Sequence, residues 1–140
     1  MKASVTRYVR IDHAQLVEMT LHAEGTSEEC CGFLLGHEGR SIVTCTIPTT
    51  NVARDPGEYF VIDPLAYLRA EQYAATSNLE LIGIYHSHPN SAAIPSETDR
   101  TNALQNLSYV ILSLDDQQCT GIRSWRLNSS EHFEEELIIS

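Results

Sequence analysis

Positive charge is scarce in this chain of 140 residues: 9 Lys plus Arg stand against 19 Asp plus Glu, a formal net charge of −10. Such a chain repels phosphate backbones, and no basic stripe with interleaved aromatics offsets the repulsion, so nucleic acid is excluded as a partner class. No stretch approaches 18 uncharged apolar residues, and Met1 to Arg10 lacks a continuous apolar run, which argues against a membrane span and a signal peptide. The four cysteines, Cys30, Cys31, Cys45 and Cys119, form no Cys-x-x-Cys pair. A thiolate metal site is therefore unsupported, and reduced, mostly buried thiols are expected. Internal repeats and low-complexity tracts are also missing. What remains is a chain with 42% hydrophobic residues, enough for one core, read as a single cytoplasmic, soluble domain over residues 1–140. The acidic triplet Glu134, Glu135 and Glu136 reads as a solvated edge.

Periodicity predicts an opening strand over Val5 to Ile11, then a helix started by an Asp12/Gln15 capping box, with Leu16, Met19 and Ala23 inward and Gly25 at its end. Cys31 to Leu35 and Ser41 to Ile47 read as a hairpin joined by His37-Glu38-Gly39, so Glu29 sits where a loop enters a strand. Pro48 to Gly57 has loop composition and precedes a short strand over Glu58 to Ile62. Asp63-Pro64 opens a helix to about Ser77, with Leu65 and Leu68 on its apolar face. Leu79 to His88 is a strongly apolar strand ended by Pro89, Ser96 opens a helix to about Gln105, and strands follow over Ser108 to Leu114, Thr120 to Leu127 and Phe133 to Ile139. Strands with about three helices, not in strict alternation, predict an α+β fold with a mixed sheet flanked by helices.

Chemistry concentrates in one segment. His86 and His88 are two apart on a strand, so both imidazoles project from the same face and form a two-pronged metal grip. After Pro89 and a short return loop, Ser96-Glu97-Thr98-Asp99 places a carboxylate on the first turn of a helix. Ser-x-x-Asp alone is a common helix cap. Joined to the two histidines, it makes a set of two imidazoles and one carboxylate with a fourth position left for water, the arrangement of a catalytic zinc site.

The string His-x-His-Pro, a six-residue gap, then Ser-x-x-Asp resembles the signature of the JAMM metallopeptidases, the MPN-plus family, in its short prokaryotic form. Glu29-Cys30-Cys31-Gly32 resembles that family's upstream Glu-x-Cys-Gly run, and the similarity extends over Asn51 to Pro56, Tyr59 to Pro64 and the strand leading into His86. The resemblance implies an MPN/JAB fold related to that of cytidine deaminases. It also implies one Zn2+ held by His86, His88 and Asp99, Glu29 as the group that activates water, and Ser96 as a donor to the developing oxyanion. Its substrate would be the C-terminal Gly-Gly tail of a ubiquitin-like sulfur-carrier protein, from which a residue or peptide is released. Zinc in such a set lowers the pKa of its water from about 15.7 to about 7, and a carboxylate base adds roughly 10² to 10⁴ in rate.

The same motif serves an isopeptidase that removes a ubiquitin-like modifier from lysine side chains. A non-catalytic MPN scaffold typically loses ligands, all of which are present here. A zinc nucleobase deaminase requires His-x-Glu and Pro-Cys-x-x-Cys, which this chain lacks. His13, His22, His37 and His132 have no partner at ligand spacing, and Trp125 reads as sheet packing. Arg54, in the long loop, and Arg100, directly after Asp99, are candidate contacts for a substrate carboxylate or a carrier surface.

Overall fold

The computed structural model describes residues 7–140, so Val5 and Thr6 of the expected opening strand lie outside the described residues. Strand β1 (Tyr8–Ile11) leads into helix α1 (His13–Glu24), and strands β2 (Cys31–His37) and β3 (Ile42–Thr49) form the hairpin, joined by one 3₁₀ turn. Helix α2 (Pro64–Thr76) and strand β4 (Glu80–Pro89) follow, then helix α3 (Glu97–Asn102) and strands β5 (Ser108–Asp115), β6 (Gln118–Leu127) and β7 (Phe133–Ile139). The mixed sheet with three helices matches the expected class. Its edges, however, meet: the order β1-β3-β2-β4-β5-β6-β7 closes into a barrel. Short β1 makes the closure, pairing parallel with β7 through Tyr8↔Leu137 to Arg10↔Ile139 and with β3 at only Arg10↔Ile42 and Ile11↔Val43.

β2, β4 and β5 are apolar without alternation because both of their faces are covered. Leu34, Tyr85, Val110 and Leu112 pack with Met19 and Ala23 of α1. Phe33, Leu35, Ile84 and Tyr109 pack with Ala70 and Ala74 of α2. His86 and His88 follow Ile84 at period two, so they lie on the α2 side of β4.

Several local expectations shift. Asp63 caps α2, accepting from the Leu65 amide at 2.9 Å, with Pro64 at the first helical position. Yet Leu65 and Leu68 are about half exposed. The buried face is made instead by Ala70 and Ala74, with Tyr67 edge-on to Phe33 at 5.2 Å; small side chains let the helix approach the sheet. Residues 58–62 form no strand, only an isolated Asn51↔Ile62 bridge. The Asn51 side chain takes the Val61 amide and the Tyr59 carbonyl that a ladder would have used. α1 lacks its capping box: Asp12 makes no side-chain cap, and Gln15 instead donates to the Thr44 carbonyl at 3.2 Å. β3 runs two residues past Ile47 because pairing with β2 continues to Cys31↔Thr49. α3 ends at Asn102, three residues before Gln105, where Ala103 turns extended. In the acidic triplet Glu136 is 5% exposed and accepts from Ser124 Oγ at 2.7 Å, so only Glu134 and Glu135 are solvated.

At Gly36 the register of β2 against β3 shifts by one residue, and an alanine Cβ would lie 1.8 Å from the Ile42 carbonyl oxygen. A backbone atom cannot yield as a side chain does. Gly36→Ala is expected to lower stability by about 3 kcal/mol, read from the denaturant midpoint; an unchanged midpoint would refute the close approach.

Candidate metal centre

The centre is assembled where the end of β4 meets the starts of β2 and α3. β4 delivers His86 and His88 as its last inward residues before Pro89. β2 pairs with β4 at Cys31↔His86, and the contact continues one step outward: the Ser87 amide donates to the Cys30 carbonyl at 3.1 Å, while the Cys30 amide donates to Ser87 Oγ at 2.8 Å. That double clamp brings Glu29, the preceding residue, against the imidazoles. Single ligand atoms of Glu29, His86 and His88 all lie within 4.8 Å of one another.

The third segment is the start of α3. Ser96 and Asp99 form a reciprocal capping box: the Asp99 amide donates to Ser96 Oγ at 3.0 Å and the Ser96 amide donates to Asp99 Oδ2 at 2.9 Å. The same Oδ2 lies 3.2 Å from His86 Nε2 and 3.0 Å from His88 Nε2, and the two Nε2 atoms are 3.2 Å apart. A four-coordinate ion with bonds of about 2.0–2.1 Å spaces its ligand atoms about 3.3 Å apart. This triangle therefore fits such an ion with almost no movement. Both carboxylates reach the imidazoles, so Asp99 and Glu29 are alternative third ligands on distance alone.

Outer contacts fix the rings. His88 Nδ1 lies 2.8 Å from the Ala92 carbonyl, which requires the proton on Nδ1 and leaves the Nε2 lone pair free for a metal. The adjacent Ala93 carbonyl accepts from Trp125 Nε1 at 3.0 Å, pinning the loop that bears it. The His86 ring is stacked on Phe60 at 4.4 Å, and its buried Nδ1 has no partner among the described residues.

The two carboxyl groups titrate in opposite directions. Burial pushes Glu29 up to about 7, helped by Asp99 and Glu58 and opposed by His88; its buried Oε1 has no partner among the described residues. Burial also works against ionised Asp99, but hydrogen bonds with His86, His88 and the Ser96 amide outweigh it and hold that carboxyl far below its ordinary range. Burial lowers His86, while the Asp99 and Ala92 contacts raise His88 against its own burial.

Of the other singled-out residues, Arg100 is not a free cation: it pairs with Glu97 and donates to the Glu131 carbonyl at 3.3 Å. Arg54 is exposed in the long loop. His22 bonds Tyr85 Oη at 2.7 Å in a structural contact. All four cysteines are free, two buried and two half-buried. The residues alone gave Asn51 and Phe60 no role, and Trp125 only that of sheet packing. Asn51 carried a weak signal, since Asn favours a local turn; Phe60 and Trp125 carried none, because their contacts join segments 26 and 32 residues apart in sequence.

A model of prokaryotic homologs of the JAB domain matches residues 13–128, and the chain belongs to that family. It is 34% identical over 125 residues to the CysO-cysteine peptidase of Mycobacterium tuberculosis, covering 87% of this chain and 85% of that one. It is 38% identical over 89 residues to a probable TtuB-protein conjugate cleaving protease of Thermus thermophilus, covering 64% of this chain but only 57% of the relative's length. A solution structure of a protein from Desulfitobacterium hafniense superposes with a TM-score of 0.82 at 30% identity, over 94% of this chain and 91% of that one.

Trp125→Phe keeps a ring beneath Arg123, which sits 4.8 Å above the indole, and removes the bond to Ala93. Metal affinity is expected to fall roughly 10-fold in a chelator competition, the effect of losing an outer contact. Unchanged affinity would mean that the loop is held without the indole.

Proposed function

We propose that this chain is a zinc-dependent peptidase of the cytoplasm that cuts after the C-terminal Gly-Gly tail of a ubiquitin-like sulfur-carrier protein. The observation that carries the reading is the triangle of two Nε2 atoms and one carboxylate oxygen, beside a buried Glu29 oxygen that has no partner among the described residues. His86, His88 and Asp99 hold the metal. Asp99 is chosen over Glu29 because it stays ionised and is fixed by its capping box, whereas a carboxyl near 7 is suited to moving protons at neutral pH. Two imidazoles with a carboxylate and an open position favour zinc.

When bound, zinc supplies a Lewis acid for the scissile carbonyl and makes a coordinated water acidic. Glu29 takes the proton of the attacking water and passes it to the leaving amine. Ser96 Oγ already accepts from the Asp99 amide, so its hydroxyl proton is available to the oxyanion; one such donor is worth about 10² to 10³ in rate. An extended tail has a place beside β3, whose edge beyond Val43 has no strand partner among the described residues. That edge borders a groove of about 880 Å³ shared with α2 and lined by Ile47, Pro48, Val52, Leu65 and Tyr73. Glycines suit the tail because its backbone must approach the metal closely.

A second reading, removal of such a modifier from lysine side chains, is favoured by the relative from Thermus thermophilus, whose name describes cleavage of protein conjugates. The chemistry at the metal is identical; the leaving amine differs.

Intact-mass spectrometry of a sulfur carrier bearing an extension after Gly-Gly tests the proposal. Chelator-sensitive loss of the extension is expected. If several carriers stay intact while a lysine-linked conjugate is cleaved, the second reading replaces the first. In the same assay Glu29→Gln should keep its zinc and lose roughly 10² to 10⁴ in rate; near-normal turnover would remove Glu29 from its role.

The acidic limb of kcat/KM follows from the sign of the Glu29 shift. The base is active only when ionised, so activity falls as pH drops through its pKa. Burial raises that pKa from 4.5 to about 7, and a bound cation draws it back toward the ordinary range. The limb should therefore fall between about 4.5 and about 7 and vanish from the residual activity of Glu29→Gln. A limb unchanged in that variant would assign it to another group.

A further inference from the structure

We infer that Asn51 is a positioning residue for the general base: its side-chain amide holds the backbone of Glu29 in place for proton transfer. The inference rests on the reading of Glu29 as that base.

Asn51 lies just beyond β3, 22 residues after Glu29, and its side chain is saturated. Nδ2 donates to three carbonyl oxygens, those of Glu29 at 2.9 Å, Tyr59 at 3.0 Å and Pro56 at 3.3 Å. Oδ1 accepts from the amides of Ala53 and Val61, both at 3.0 Å. Two amide protons serving three carbonyls and one oxygen serving two amides leave no capacity unused. The loop so gathered returns the contact: the Pro56 carbonyl accepts from the Glu29 amide at 2.8 Å. Both backbone polar groups of Glu29 therefore end on Asn51 or on a loop that Asn51 organises, while its carboxylate has one buried oxygen without a partner among the described residues. On its C-terminal side Glu29 is followed by the Cys30–Ser87 clamp. Residue 29 is thus fixed from both directions, once by β4 and once by Asn51.

The residue type is specific. The site needs two donors toward three carbonyls and one acceptor toward two amides, on a stem short enough to sit inside the loop. Aspartate matches the shape and the acceptor half but turns an anion toward three carbonyl oxygens. Serine offers one donor, and glutamine is one carbon too long. The same loop carries Phe60 onto His86 at 4.4 Å, so loss of metal is the competing consequence that the test must separate.

The difference between aspartate and asparagine supplies that test. Asn51→Asp keeps the bonds from Ala53 and Val61 and removes those to Glu29, Pro56 and Tyr59. Holding geometry at a reacting group is worth about 10²-fold for a displacement near 1 Å, so kcat should fall by about that factor, with KM within about 2-fold and zinc content unchanged. The decisive arm is the pair with Glu29→Gln: if Asn51 acts through Glu29, adding Asn51→Asp to that variant lowers the residual rate by no more than about 2-fold, because the group being positioned is already gone. Losses that multiply, an unchanged kcat, or a fall in kcat matched by lost zinc would each overturn the inference. Were Glu29→Gln itself active, the base assignment would fail instead, and that result is read independently. Amide hydrogen exchange on the unmodified protein provides a measurement that needs no variant to fold. Glu29, Ala53 and Val61 amides should exchange through one shared opening, at matching protection. Independent exchange of Glu29 would show that Asn51 does not hold it.

Discussion

The pairing of β2 with β4 is the constraint on which the rest of the structure depends. Its register, Cys31↔His86, continues through the Cys30–Ser87 clamp and sets Glu29 against two imidazoles 57 and 59 positions further along the chain. Both strands are buried on both faces, so a slip of one residue would turn His86 and His88 toward α1 and Tyr85 toward α2. Gly32 makes room for the observed register. It lies beneath the Tyr85 ring, where an added Cβ would be 2.3 Å from the nearest ring carbon. Packing in the α1 layer thereby holds the register that aims the histidines into the other layer.

Upon this frame two carboxyl groups acquire opposite characters. Asp99 Oδ2 lies within 3.2 Å of two imidazole nitrogens and a backbone amide, and that convergence keeps it ionised despite burial. Glu29 is similarly buried but has one oxygen without a partner among the described residues, so desolvation dominates and its proton is retained to higher pH. Separation of paired carboxyl groups by environment is how one site assigns one of them to holding charge and the other to moving protons. The capping box of α3 contributes to this directly. A bond that would ordinarily start a helix here orients the carboxylate oxygen that faces both imidazoles, so the stability of the first turn and the geometry of the candidate centre are one interaction.

Much of this was legible in the residues. The period-two spacing of His86 and His88 placed both rings on one face, Ser96 and Asp99 announced a helix start, and Asp63-Pro64 announced another. These signals are local, set by backbone geometry within a few residues, and tertiary packing left them intact. The elements that shifted were those whose backbone groups found distant partners. Residues 58–62 have strand composition, but the Asn51 side chain consumes their hydrogen bonds. The inward face of α2 passed from Leu65 and Leu68 to Ala70 and Ala74, because close approach to the sheet favours small residues.

Neighbouring residues alone carried the mixed-sheet class and the types and spacing of the candidate ligands, since periodicity, capping and motif are local properties. Tertiary packing alone closed the sheet, pinned the loop behind His88 with Trp125, brought Arg100 to the Glu131 carbonyl and set Asn51 against the Glu29 carbonyl. Each of these is a contact between segments brought together by packing, and no local pattern encodes which carbonyl a distant side chain will meet.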